Sequence, residues 1–221
     1  MEHNSCKRFH VSGGFTARSC SGHCDKNRRC GSASFQLRSG LNVSVASPKS
    51  QLHTIKVEGS GPLYEGVLAV CRRHGYRVVG EGPAALFVLA NVSRIVKPAE
   101  FQAPPLGTLC FHPSVLPRHR GRDAVYWTVK MGDTETGVSW FWVTEQVDAG
   151  PIAAQRVIPM PENVRPRDLY NQYLVGLGIE SFEEILLQLE RGVIPRTEQD
   201  ESLATYEPPR PRVAPKVEQA S

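Results

Sequence analysis

Between Thr54 and Val79 the chain runs strand, glycine-rich turn, helix, strand, and few folds accept that order. Thr54-Ile55-Lys56-Val57 alternates polar and apolar, the period of a strand with one face turned inward. Glu58-Gly59-Ser60-Gly61-Pro62 is a turn. Leu63, Val67, Val70 and Cys71 then fall at i, i+4, i+7 and i+8, one apolar helical stripe that Gly75 brings to an end. Tyr76-Arg77-Val78-Val79 is a second strand. This is the opening of a doubly wound α/β domain. Gly59, Gly61 and Gly66 are out of step with a dinucleotide fingerprint, and no acidic residue follows the second strand where a ribose would need one. The glycines are therefore read as a tight strand-to-helix turn and not as a nucleotide site.

Further elements extend the sheet. Leu86-Phe87-Val88-Leu89 is a continuous apolar run, as in a parallel strand buried on both faces. Pro98 to Phe101 forms a short helical turn, and Leu109-Cys110-Phe111 is a buried strand with His112 at its end. Val138 to Val143 and Ile152 to Val157 are β-rich. From Pro166 an amphipathic helix, long or broken, runs through Leu169, Tyr170, Leu174, Leu177, Phe182, Ile185, Leu186 and Leu189 to Gly192.

The ends differ in character. Residues 1–53 are read as a basic low-complexity tail, 54–195 as the catalytic domain and 196–221 as a Pro-rich tail, with both tails expected to be disordered. Eight Lys/Arg against two acids give residues 1–52 about +6, so with a total of +4 the remainder is mildly acidic. Nucleic acid is accordingly not expected as a partner of the folded part. No apolar run approaches a membrane span, so a cytoplasmic protein is expected; the Arg- and Ser-rich start gives mitochondrial import as the alternative. Cys71 and Cys110 sit in apolar runs as buried hydrophobes. Cys20, Cys24 and Cys30 with His10 and His23 fit no common zinc spacing, and no metal is expected.

The chemistry centres on Gly107 to Gly121. A histidine at the carboxyl end of a buried strand projects towards the crevice where open α/β sheets bind ligands. Pro113 and Pro117 stiffen the loop after it, and Arg118, His119 and Arg120 make that loop basic. Further on, Glu145-Gln146-Val147-Asp148-Ala149-Gly150 supplies a carboxylate. His112 and Asp148, from two neighbouring strand ends, form a candidate acid–base pair. On spacing alone, a structural histidine bonded to a backbone carbonyl stays equally open.

His112-Pro-Ser-x-Leu-Pro-x-x-Arg-Gly121, Gly132-Asp133-x-x-x-Gly137 and Asp148-x-Gly150 resemble, in order and spacing, the motifs of the formyltransferase family. The likeness covers most of 54–207. It is closest to the N-terminal hydrolase domain of 10-formyltetrahydrofolate dehydrogenase, through Leu116 to Gly121, Phe141-Trp142, Leu169-Tyr170-Asn171 and Ala204-Thr205-Tyr206-Glu207. The resemblance implies a Rossmann-like core with a mostly parallel sheet and an enzyme using 10-formyltetrahydrofolate as formyl donor, with hydrolysis or transfer releasing tetrahydrofolate. It implies that His112 stabilises the oxyanion while Asp148 orients the histidine or the attacking water and moves the water's proton. The pterin slot would be Val143, Thr144, Glu145, Gln146 and Val147 with apolar walls Leu89, Ile95 and Val96, whereas Ser114 and Arg120 would shape the loop. Methionyl-tRNA formyltransferase is the alternative within the family; an inactive folate-binding or interaction protein is the alternative outside it.

Three departures accompany the resemblance. Cys110 stands where the transferases carry an oxyanion-binding Asn, a change shared with the hydrolase branch. Only residues 81–85 join the second strand to Leu86, where the family has a further helix and strand, and a parallel crossover ordinarily takes about a dozen residues. Either the sheet is shortened with an altered connection or a coding segment is missing, the second being favoured, and one side of the central strand is expected to be exposed, with poor solubility. Finally, the chain is too short for the dehydrogenase's other domains.

Overall fold

The computed structural model describes residues 52–211, together with the backbone of four short strands nearer the amino terminus. Those strands form two antiparallel hairpins, Lys7–Val11 with Phe15–Ser19 and Ser34–Gln36 with Asn42–Ser44, within a separate unit spanning Met1–Ser47. The tail expected over 1–53 thus contains hairpins, whereas the cysteines outside these strands and residues 212–221 lie outside the described residues.

The second unit holds six strands in the order β2-β1-β3-β4-β5-β6. In chain order its elements are β1 (Thr54–Gly59), α1 (Gly61–Arg73), β2 (Arg77–Val79), β3 (Leu86–Ala90), α2 (Pro98–Phe101), β4 (Thr108–His112), α3 (Ala124–Met131), β5 (Glu135–Trp142), β6 (Ile152–Pro159), α4 (Pro166–Leu169) and α5 (Val175–Glu190). A π-helical turn, Tyr170–Leu174, joins the last two, which is the break in the expected long helix. β2, β1, β3 and β4 pair in parallel; β5 is antiparallel to both β4 and β6. The mostly parallel Rossmann-like sheet expected from the sequence is present.

The α1 stripe behaves as its spacing requires: Leu63, Val67, Val70 and Cys71 are buried against Ile55, Val57, Leu86 and Val88. α5 adds Phe182, Ile185, Leu186 and Leu189 over Leu109, Trp140 and Trp142. Burying each such side chain contributes roughly 1.5–3 kcal/mol, so this layer is the main source of stability. Trp140 Nε1 donates to Gly178 O at 2.8 Å, satisfying the one polar atom the ring takes inside. Gly59 is glycine for contact reasons: a Cβ there would lie 1.8 Å from Ala90 O, where Ser60 N–H docks.

The short link does cross. β2 and β3 flank β1, about 10 Å apart at the usual strand spacing. Register places Val79 beside Lys56 and Leu86 beside Ile55, so the chain retraces only about one residue while crossing. The usual dozen residues are needed because most crossovers return along a whole strand; β2 has three residues, which lets Gly80–Ala85 suffice. In this chain β2 and β3 are therefore joined by a short connection across β1. The expected exposure of the central strand is not seen: all five β3 residues are buried. Leu86, Val88 and Ala90 enter the main core. Phe87, on the opposite face, lies under the Lys56 ammonium at 4.5 Å, and residues 91–107 with buried Phe101 close this side of the sheet.

Candidate active site

Side chains alternate along β4, so Thr108, Cys110 and His112 share one face, in register with Phe87, Leu89, Phe141 and Ser139 of the neighbouring strands. His112 stands at the strand's carboxyl end and is buried. The loop after it is held by Ser114 Oγ donating to Arg118 O at 2.7 Å, with a cis peptide between Leu116 and Pro117. Ser139 Oγ in turn donates to Ser114 O and accepts from Leu116 N–H. Ser114 thus shapes the loop, as expected.

Asp148 arrives by a different path from the one its position in sequence implies. β5 is antiparallel to β4, so its carboxyl end lies beside Thr108, where Val143 N–H donates to Thr108 O at 2.8 Å. The 143–151 loop therefore leaves the sheet at the far end from His112 and turns back across the Cys110 face. Its arms are pinched together by Trp142 N–H donating to Pro151 O at 2.9 Å, and a Cβ on Gly150 would stand 1.7 Å from Trp142 O. Asp148 adopts φ +51°, a left-handed conformation that Asp tolerates better than most residues. Its Oδ2 accepts from Gly121 N–H at 2.7 Å and faces His112 Nδ1 at 3.5 Å.

His112 Nε2 lies 2.7 Å from His119 O. Because a carbonyl only accepts, Nε2 is protonated and donates, which leaves Nδ1 turned towards Asp148. The backbone-carbonyl bond that the structural reading of a strand-end histidine expects is present, on the same ring that faces Asp148. At 3.5 Å the Nδ1–Oδ2 approach is longer than a hydrogen bond, and an oxygen lying beside the two atoms, not between them, can contact both.

Cys110, two residues back on the same face, is a poor donor; burial first, then the Asp148 carboxylate, push its thiol well above the ordinary range. Of the expected pterin walls, Leu89 is buried and Val96 half-buried, whereas Ile95 is 77 % exposed. Along the loop Val143 is half-buried, Thr144, Glu145 and Gln146 are exposed, and Val147 is 49 % exposed. Five of these eight residues are thus open to solvent. No cluster of three or more His, Cys, Asp or Glu side chains able to hold a metal occurs among the described residues.

The carboxyl-terminal segment adds residues that spacing did not single out. The expected boundary at Pro195 cuts through contacts that continue to Arg210. Thr197 and Ile152 exchange backbone bonds at 2.8 and 2.9 Å, and Trp142 Nε1 donates to Pro195 O. Arg120, fully buried, donates to Gln199 Oε1, both Glu201 oxygens and Tyr206 Oη. Its bonding power is spent within the protein, in line with the loop-shaping role expected of it. His119, also buried, is set between Asp133 at 2.8 Å from Nε2 and Glu207 at 3.0 Å from Nδ1, the latter off the line of a hydrogen bond. Only the Ala204–Glu207 likeness signalled this segment in the sequence; the reach of Arg120 across 86 positions has no local signature.

A mostly parallel α/β sheet with His112 buried at the end of a central strand and Asp148 folded over it is the framework of a Rossmann-like domain. The formyl transferase family model matches residues 75–175, a segment that contains both members of the pair, and the likeness to that family is carried by sequence as well as fold. Mitochondrial 10-formyltetrahydrofolate dehydrogenase of Mus musculus is 39 % identical over 132 residues, 60 % of this chain but 14 % of that protein. Methionyl-tRNA formyltransferase of a Synechococcus strain is 37 % identical over 125 residues, 57 % of this chain and 38 % of that one. Among solved structures, HypX of Aquifex aeolicus in complex with tetrahydrofolic acid shares the fold with a TM-score of 0.63, at 21 % identity, over 72 % of this chain and 30 % of that chain. The chain thus spans a minor part of each of these three proteins.

Proposed function

We propose that this domain binds 10-formyltetrahydrofolate as substrate and removes its formyl group, with water as the acceptor. The observation that carries the reading is the 3.5 Å gap between His112 Nδ1 and Asp148 Oδ2, inside the segment matched by the formyl transferase family. The relatives' names supply the donor: one is a 10-formyltetrahydrofolate dehydrogenase, and HypX was crystallised with tetrahydrofolic acid. Open apolar side chains at Ile95 and Val147 offer surface that a flat ring would cover.

The chemistry follows from the arrangement. Asp148 Oδ2 is engaged by Gly121 N–H, which leaves Oδ1 to orient a water and take its proton. The water oxygen bonds to the formyl carbon, and the oxyanion that forms is met by the Nδ1–H of His112 in its doubly protonated form, with Nε2–H still held by His119 O. The carbonyl reforms as the bond from formyl carbon to N10 breaks, and N10 takes the proton that Asp148 removed from the water. Tetrahydrofolate leaves with formic acid, which gives its proton to solvent to become formate. Cys110 supplies no second oxyanion donor, so the histidine alone carries that role.

Incubation with 10-formyltetrahydrofolate, followed for formate and tetrahydrofolate, tests the reading. Turnover that falls by about 10²–10⁴ in His112→Ala is the expected result. Folate binding without turnover would sink it in favour of an inactive binder, and turnover only when an amine acceptor is added would replace hydrolysis by transfer.

A further inference from the structure

The two loops that bring His112 and Asp148 together make one direct contact near the pair, Gly121 N–H to Asp148 Oδ2. A third segment holds both loops at once. Gln199 Nε2 donates to Asp148 O at 2.9 Å and to Gly150 O at 2.7 Å, gripping the turn on either side of Ala149. Its Oε1 accepts from Arg120 Nε at 3.1 Å and from a terminal nitrogen of the same guanidinium at 2.7 Å, gripping the loop after His112. One amide therefore ties the Asp loop to the His loop, with both of its donors and its acceptor in use. Thr205 fastens the same strand of chain to the His loop again: its Oγ1 accepts from His119 N–H at 2.8 Å and its carbonyl from Arg120 N–H at 2.9 Å. His119 is the residue whose carbonyl fixes His112 Nε2.

Resting on the proposed function, we infer that Gln199 is a positioning residue that sets the His112–Asp148 separation. It lies outside the 75–175 segment, touches neither reacting side chain, and acts through the backbone of the Asp148 turn. The turn needs such support: Asp148 is left-handed, and without its carbonyl held it relaxes towards commoner backbone geometry and carries the carboxylate away from Nδ1.

Gln199→Glu tests this with the full chain. The replacement is isosteric and keeps an acceptor for Arg120, but it turns an oxygen towards the Asp148 and Gly150 carbonyls where two donors stood. The expected result is a fall in kcat of about tenfold to a hundredfold with KM within about threefold, since misplacement of a catalytic group by an ångström has that effect. The amide of Gly121 gives a second readout that needs no turnover. Its exchange protection and downfield proton shift report the Asp148 Oδ2 contact, and both should be lost in Gln199→Glu and in Gln199→Ala. Leu203→Ala, at an exposed position in the same segment, should leave kcat and the Gly121 signal unchanged. A Gly121 signal unchanged in both Gln199 variants overturns the inference, as does an unchanged kcat. If the wild type itself shows no turnover, the functional reading fails, and the Gly121 amide still decides the positioning role.

Discussion

Asp148 does two jobs that different substitutions separate. Its carboxylate accepts from Gly121 N–H and faces His112, while its backbone occupies the left-handed region. Asn tolerates that region about as well as Asp and keeps an oxygen for Gly121, whereas Ala pays roughly 1–2 kcal/mol there and offers no acceptor. Asp148→Asn should therefore melt within a degree or two of the wild type while losing turnover by about two orders of magnitude or more. Asp148→Ala should lose activity and also roughly 2 kcal/mol or more of unfolding free energy, read from denaturant midpoints at unchanged slope. Equal stability of the two variants would show that the turn does not depend on this residue's backbone preference.

At the scale of elements, the residues 91–107 that close the second face of the sheet are pinned by charge. Arg94 reaches Glu58 on β1 at 2.6 and 2.7 Å, and Glu100 on α2 at 2.8 and 3.1 Å; Glu100 also accepts from Lys97 N–H. The Arg94 guanidinium first, then the Lys97 amide, hold the Glu100 carboxyl down to about 2, and Arg94 lowers Glu58 as well. Folded values below the unfolded ones mean that this contribution is complete above the ordinary carboxylate range and is lost as pH falls from there towards 2. Amide-exchange protection confined to 91–107, taken relative to the intrinsic rate at each pH, should fall over that interval, and the ion-pair contribution should be screened by salt. Arg94→Met should show the loosened segment already at neutral pH; a pH response that survives in the variant would place its origin elsewhere. The same scale shows what sequence carries. Strongly periodic elements such as α1 and the apolar runs of β3 and β4 lie where their patterns put them, because burial alone selects them. α3 escaped notice although Gly132 ends it in a left-handed cap, since Val125-Tyr126-Trp127 reads as strand and only tertiary packing makes it helix. His112 and Asp148 were legible through motif, but the Asp loop's return across the sheet and the grip of Gln199 depend on pairings that no local pattern encodes.

For the molecule as a whole, the unusual event is a parallel crossover in six residues, and it defines how this sheet can vary. Gly80 to Pro83 are exposed, and the register lets Gly80–Ala85 arch from one side of β1 to the other, since seven Cα steps reach at most about 25 Å against about 10 Å between the strands. Ala85 N–H is already committed to Thr54 O at 2.8 Å, which shortens the free span further. Lengthening such a link raises only closure entropy, by about 0.6 kcal/mol per doubling, so four Gly/Ser residues inserted after Gly82 should lower the melting temperature by no more than a few degrees. Removing Glu81 and Gly82 should instead detach β2, the three-residue edge strand, while β1, β3 and β4 keep their mutual pairing. Exchange protection lost at Arg77 and Val79 but kept along β3 would mark that outcome. Collapse of the whole sheet on insertion would show that the short connection is not the path the chain takes between β2 and β3.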